Sequence, residues 1–241
     1  MRIIKKTLNT LTASLLAGVC FAAKADVSLV SGWNLVGNGS TSEINVASVF
    51  SDTSKYITIW KWNASSGSWA FYTPSLSSTD LAAYAQAKGY GVLTTINSKE
   101  GFWVNAKGAV TATTSTSNSA AVLLQSDVAV GWNLLASADG KTPSLLNASL
   151  SSSLNANGKS VTTLWAWDAS TSTWRFYAPS LEAQGGSVLA DYIANKKYLG
   201  FTSPLGSTDG FWMNIGVVTP TKTTSDPNNA MPVVAAVVIG M

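Results

Sequence analysis

The chain has 241 residues, of which 11% are charged, and it contains one cysteine and no histidine. The lack of histidine excludes mechanisms in which an imidazole is the general base, the metal ligand or the partner of a nucleophile. Neither a glycine-rich phosphate loop nor an aspartate-rich calcium loop occurs, so we predict no cofactor and no metal.

The N-terminal segment, residues 1–25, has the pattern of a secretory signal peptide. Basic residues precede a short apolar run at 15–23, and small residues follow before the expected cleavage site after Ala25. The run is too short to span a bilayer, so we predict a secreted or cell-surface protein with no transmembrane span in the mature chain. Cys20 leaves with the signal, and the mature chain then has no disulfide and no thiol nucleophile.

The charge of the mature chain argues against one class of partner. Removal of residues 1–25 leaves 11 Lys and Arg side chains against 12 Asp and Glu side chains, a net charge of −1. A near-neutral chain without basic clusters lacks the positive surface that binds phosphate backbones. We therefore predict that nucleic acid is not a partner.

The mature chain is predicted to be a tandem repeat. Three motifs occur twice in the same order: GWNL at 32–35 and 131–134, W-x-W with a later W-x-F-Y-x-P at 60–74 and 165–179, and GFW at 101–103 and 210–212. Self-similarity of this kind indicates duplicated structural units. The predicted segments are repeat unit 1 (26–110), a Ser/Thr-rich linker (111–119), repeat unit 2 (120–219), and a tether with an apolar C-terminal tail (220–241).

Each unit is predicted to contain a strand, a helix, a hairpin, a second helix and two further strands. The first helix has start signals at Ser40 with Glu43 in unit 1, and at Thr142 with Pro143 in unit 2. The second helix has apolar residues three and four positions apart, and it ends at Gly89 in unit 1. We predict a β-rich α+β fold, in which each duplicated unit is a small antiparallel sheet with two short helices.

The repeated aromatic segment predicts an antiparallel hairpin. A symmetric register places Trp62 opposite Trp69 and Trp60 opposite Phe71, so that these four rings share one face. That face is either part of the core or an open surface on which sugar rings or another subunit stack. The candidate ligand or partner platform consists of Trp62, Trp69, Trp167 and Trp174.

Acidic residues recur at two positions: Asp26 with Asp127, and Glu100 with Asp209. The second pair precedes a glycine and a strand, which is typical of turns. Catalytic carboxylates of a glycosidase would have to face each other about 5 to 9.5 Å apart, and nothing in the sequence requires this. We therefore predict turn residues, no catalytic residue and no enzyme activity. A glycoside hydrolase is the less favoured alternative.

The C-terminal region joins a tether rich in Pro, Thr and Asn to an uncharged apolar stretch at 231–241. Eleven residues are too few for a membrane-spanning helix. The stretch either folds back onto its own domain or pairs with a neighbouring sheet edge, which would produce self-association or attachment. The candidate assembly residues are Val233, Val234, Val237, Val238 and Ile239.

The three repeated motifs together resemble a repeat found in exported bacterial surface proteins, and the resemblance covers nearly the whole mature chain. It implies a secreted or envelope-associated module but transfers no catalytic residue and no ligand. We expect a non-catalytic extracellular protein of assembly, adhesion or matrix type, whose partners are other surface proteins or itself. The alternative is a pair of carbohydrate-binding modules that bind polysaccharide through exposed tryptophans.

Overall fold

The computed structural model describes residues 25–115, called the first half below, and residues 119–218, called the second half. Residues 1–24 of the predicted signal peptide and the candidate assembly tail lie outside the described residues. The first half contains the strands β1 (Ala25–Leu29), β2 (Gly32–Gly37), β3 (Ile44–Asn45), β4 (Tyr56–Asn63), β5 (Ser68–Tyr72), β6 (Gly91–Val92), β7 (Thr95–Ile96), β8 (Gly101–Ala106) and β9 (Val110–Ser115), and the helices α1 (Val46–Val49) and α2 (Ser78–Lys88).

The second half begins with a 3₁₀ turn at Gln125–Asp127. It contains the strands β10 (Gly131–Ala136), β11 (Lys159–Asp168), β12 (Thr173–Tyr177), β13 (Leu199–Gly200) and β14 (Gly210–Val217), and the helices α3 (Pro143–Ala156), α4 (Pro179–Glu182) and α5 (Val188–Lys196). The described chain is therefore a β-rich α+β structure, as predicted. The second half has three helices where two were predicted.

Ten strands form two five-stranded sheets. The strand order is β2–β8–β4–β5–β6 in the first sheet and β10–β14–β11–β12–β13 in the second. Each sheet is antiparallel except for its last pair, β5–β6 or β12–β13, which is parallel. The prediction of antiparallel sheets is wrong for these two strand pairs. In each pair, a helical connection lets the second strand run in the same direction as the first.

The GWN part of the first motif forms a closed backbone turn in both halves. Gly32 and Gly131 have φ values of 89° and 90°, a conformation that favours glycine. The Asn34 side chain donates to Val30 O (2.8 Å) and accepts from Val30 N (2.9 Å), and Asn133 makes the corresponding pair of bonds in the second half. The motif therefore has a structural cause, since the asparagine supplies hydrogen bonds that the bent backbone cannot make itself.

The predicted hairpin register is confirmed in both halves. Trp62 lies opposite Trp69 and Trp60 opposite Phe71, and Trp167 lies opposite Trp174. Because side chains alternate between the two faces of a strand, this register places the repeated tryptophans on one face of each sheet.

The helix start signals are confirmed for α3 and wrong for α1. The Thr142 hydroxyl accepts from Leu145 N at 3.3 Å and caps α3. The cap of α1 is Asn45, whose side chain accepts from the following turn, whereas the Ser40 hydroxyl donates to Asn38 Oδ1 at 2.8 Å. The extended segment β3 separates Ser40 from the helix, so the predicted capping box with Glu43 does not form.

The predicted linker at 111–119 is in part a strand. β9 pairs with β1 in a separate two-stranded sheet, and its residues Ala112 and Thr114 are buried while Thr111 and Thr113 are exposed. This alternation has the period of a strand with one covered face. The prediction failed because threonine suits strands, although the segment has few apolar side chains.

Among residues 25–115 and 119–218, apolar side chains form three buried clusters. One belongs to the first half, around Phe50, Ile59 and Phe102, and one to the second half, around Leu146 and Leu164. The third contains side chains of both halves, and tryptophans dominate it. Within residues 25–115 and 119–218, no helix has the length and apolar character needed to cross a membrane.

Candidate functional site

The candidate tryptophan platform is folded into the contact between the two halves. Trp69 is buried with 5% exposure, and Trp62, Trp167 and Trp174 are each partly buried in the shared cluster. An open row of rings for stacking ligands is therefore not formed. The sequence leaves both alternatives open, because the surface that covers each hairpin belongs to the other half of the chain.

Two reciprocal hydrogen bonds fix this contact. The indole N–H of Trp62 donates to Trp132 O at 2.9 Å, and the indole N–H of Trp167 donates to Trp33 O at 3.0 Å. Each donor lies in the hairpin of one half and each acceptor lies in the GWNL strand of the other. Equivalent residues of the two halves therefore make equivalent hydrogen bonds to each other. This is the arrangement expected for an approximate two-fold axis.

The tryptophans of the GFW motif lie at the centre of the shared cluster and are fully buried. Trp103 packs edge to face against Trp33 of its own half and Trp174 of the other, with ring centroids 6.2 and 5.9 Å apart. Trp212 contacts Trp69 in the same way at 5.9 Å. Edge-to-face contacts at these distances are favourable for aromatic rings and add to the gain from burial.

Backbone hydrogen bonds also cross the junction in a reciprocal pattern. The Gly37 N–H donates to Thr208 O at 2.8 Å, and the Ala136 N–H donates to Lys99 O at 2.8 Å. Both donors end the GWNL strand, and both acceptors stand before the GFW motif. The two sheets are consequently joined by main chain as well as by aromatic side chains.

The recurring acidic pair before GFW has the predicted turn role. Glu100 accepts from Asn97 N at 2.6 Å, and Asp209 accepts from Gly206 N at 2.7 Å. Glu100 also forms an ion pair with Lys61 at 2.8 Å, and only 14% of the Lys61 side chain is exposed. The Lys61 side chain is therefore mostly buried beside this carboxylate.

The other recurring acidic pair also makes local hydrogen bonds. Asp127 accepts from Leu124 N at 2.6 Å and forms an ion pair with Lys99 at 2.9 Å. Asp26 accepts from the Thr113 hydroxyl at 2.6 Å, across the β1–β9 pair. The recurring carboxylates therefore hold turns and strand pairs. In the part of the chain that the structure describes, no three His, Cys, Asp or Glu residues are grouped as a metal site would require.

Two adjoining clefts, of about 350 and 340 Å³, lie where the hairpin of the second half meets the first sheet. They share four lining residues: Leu35, Trp167, Ala169 and Asp209. The larger cleft is also lined by Asp168 and Arg175, and the smaller one by Asp26. Glu100 lines neither of these clefts, and its carboxylate accepts from the Lys61 ammonium and from Asn97 N.

Asp168 and Arg175 form an ion pair at the tip of this hairpin. Arg175 Nη2 lies 2.5 Å from Asp168 Oδ2. Hydrogen bonds from Ser170 and from Arg175 lower the pKa of the Asp168 carboxyl to about 2, so it is ionised at neutral pH. Neither residue was a predicted site residue. One sequence signal could have identified them. The basic residue of the second-half hairpin, Arg175, is on its second strand, whereas the basic residue of the first-half hairpin, Lys61, is on its first strand.

Comparison of the chain with known proteins gives no match: no protein-family model, no curated protein and no solved structure is significantly similar to it.

Proposed function

We propose that this chain is an exported, non-catalytic interaction or assembly protein, in which a duplicated α+β unit forms one rigid body. The observation that carries the proposal is the reciprocal contact of Trp62 with Trp132 and of Trp167 with Trp33. Each half covers the aromatic face of the other. The residues that recur in the sequence therefore hold the body together, and they are not displayed as reactive groups.

Duplication is supported by the strand order and the pairing registers. The two five-stranded sheets have corresponding orders, and Trp60 lies opposite Trp103 as Trp165 lies opposite Trp212. Two copies of one unit bury each other's aromatic face in the way that repeat units bury the faces they cannot cover alone.

Self-association through the C-terminal tail is the mode of assembly that we propose. Residues 231–241 have no charged side chain, and an uncovered apolar segment rich in β-branched residues is prone to pair with sheet edges. The outer strands β6 and β13 end their sheets and carry Val92 and Leu199, which are 41% and 37% exposed. Such a segment could pair with either edge strand and extend the sheet by one strand.

The test of assembly compares the mature chain, residues 26–241, with a form that ends at residue 218. Light scattering should give a larger species for the mature chain and a monomer for the shortened form. A matched variant, Val237→Asp, keeps the length of the tail and adds one charge, and it should also shift the protein toward monomer. Identical monomers in all three samples would contradict tail-mediated assembly.

Export is tested separately by mass spectrometry of the protein recovered outside the inner membrane. The expected product begins at Asp26. Recovery of a chain that still begins at Met1 would contradict the proposed signal peptide and with it the extracellular location.

A further inference from the structure

The larger cleft is open because one side chain differs between the two halves. In the first half, Lys61 extends from the hairpin to Glu100 and binds it at 2.8 and 2.9 Å. The position that corresponds to Lys61 in the paired hairpins is Ala166, and the counterpart of Glu100 before the GFW motif is Asp209. Alanine cannot reach this carboxylate. A space lined by Ala166, Trp167 and Asp209 remains in the second half.

The polar groups around this space are both donors and acceptors. Asp209 is exposed and has no cationic partner among the described residues. Arg175 uses one guanidinium nitrogen for Asp168, and a third of its side chain is exposed. Guanidinium groups carry five N–H donors and ionised carboxylates only accept, so a ligand that fits here needs hydroxyl-like groups that do both.

The apolar residues that line the cleft include Trp167 and Leu35. The indole N–H of Trp167 is held by its bond to Trp33 O, and the residues Trp167 and Leu35 line both adjoining clefts. A preoriented aromatic wall with a few polar groups at its rim is the usual construction of a small-molecule site, and a volume of about 350 Å³ lies at the small end of such sites.

We propose that this cleft binds a neutral oligosaccharide, with a sugar ring packed against Trp167 and its hydroxyls bonded to Asp209, Arg175 and Asp168. A pyranose has an apolar C–H face for the ring and hydroxyls that serve as donor and acceptor together. Acidic sugars are disfavoured, because Asp168, Asp209 and Asp26 outnumber the single cation of the two clefts. In the first half, Lys61 binds the Glu100 carboxylate at the corresponding position, so we expect one such site among the described residues. This inference does not depend on tail-mediated assembly.

The test is a titration of the mature chain with cellotriose, maltotriose, N,N′,N″-triacetylchitotriose, trigalacturonate and trilysine, monitored by calorimetry and by tryptophan fluorescence. We expect one of the three neutral sugars to bind with a Kd of about 1 mM or tighter and a stoichiometry of one. The variant Ala166→Lys reproduces the Lys61 arrangement and should close the cleft. It should weaken binding by at least about tenfold.

Leu124→Lys adds the same charge at a residue that is 57% exposed and lines neither cleft, and it should bind as the wild type does. If Ala166→Lys fails to fold, Arg175→Gln and Asp209→Asn provide the same comparison of affinity. The proposal is overturned if none of the neutral sugars binds or if the cleft variants bind as the wild type does. Stronger binding of trilysine or of trigalacturonate than of any neutral sugar would also overturn it, and trilysine would indicate a site for a cationic peptide.

Discussion

At the residue scale, the repeated tryptophans differ from one another in what covers them. Trp60 and Trp165 occupy matching hairpin positions and are 8% and 3% exposed. Trp62 and Trp167 lie two residues nearer the hairpin loop. Their indole N–H groups donate hydrogen bonds to main-chain oxygens of the other half. Within one motif, neighbouring tryptophans therefore have different energetic roles, burial for the first and a specific hydrogen bond for the second.

Replacing Trp60 or Trp165 by alanine should lower the free energy of unfolding by about 3 to 5 kcal/mol, because each change leaves a cavity where a large ring was buried. Chemical denaturation monitored by circular dichroism measures this loss. Leu124→Ala, at an exposed position, is the control and should change stability by no more than about 0.5 kcal/mol. A loss below about 1 kcal/mol for both tryptophans would mean that these rings are not core residues.

Asp168 makes part of the stability dependent on pH. Its pKa is about 2 in the folded protein, below the ordinary value of 3.8, so the unfolded chain takes up a proton more readily. The resulting stabilisation is fully present above pH 3.8 and is lost as the pH falls through 2. We expect the wild type to exceed Asp168→Asn in unfolding free energy at neutral pH, and the difference to shrink on acidification. Urea titrations of both proteins at several pH values measure it, and a pH-independent difference would refute the assignment.

At the element scale, the two sheets meet so closely at Gly37 and Gly210 that neither position has room for a Cβ atom. A Cβ atom on Gly210, the first residue of β14, would lie 2.3 Å from Val36 O, and one on Gly37 would lie 2.4 Å from Asp209 O. Both neighbours are main-chain atoms that cannot move without disturbing a strand. The glycine of the GFW motif is therefore explained by the close approach of another strand and not by an unusual φ.

Gly210→Ala should destabilise the protein by about 1 to 3 kcal/mol, the usual cost of forcing an extra carbon into packed structure. Gly108→Ala is the matched control, because a Cβ at Gly108 meets nothing within 4 Å and its φ is not positive. That variant should be neutral or slightly stabilising. Thermal melts compare the stability of the two variants. Equal melting temperatures would contradict the prediction, because they would show that the strands at the junction can separate to admit a Cβ atom without cost.

At the scale of the whole molecule, the two halves share one core. The tryptophan-rich cluster takes buried side chains from both, including Trp103 and Trp212 with no measurable exposure. Separation of the halves would expose these rings to water and would break the reciprocal main-chain bonds of Gly37 and Ala136. Neither half is then expected to keep its fold without the other, because the loss of this burial is large compared with the net stability of a domain.

The mature chain should accordingly unfold in one cooperative step. Tryptophan fluorescence reports the shared cluster, and far-ultraviolet circular dichroism reports the sheets of both halves, so the two denaturation curves should coincide. Two separate transitions, or a fluorescence change that precedes the loss of the sheets, would show that the halves fold independently and that their contact is weak.

The sequence alone determined the local features of this protein. The hairpin register, the end of α2 at Gly89, the Thr142 cap of α3 and the turn role of Glu100 and Asp209 were predicted from the sequence. All of them follow from residues close together in the chain, where alternation, capping and turn propensities act. Three features required the tertiary structure: the covering of the tryptophan face, the pairing of Lys61 with Glu100, and the strand β9. Each depends on contacts between residues far apart in sequence, and composition and periodicity carry no information about which distant surface will be buried.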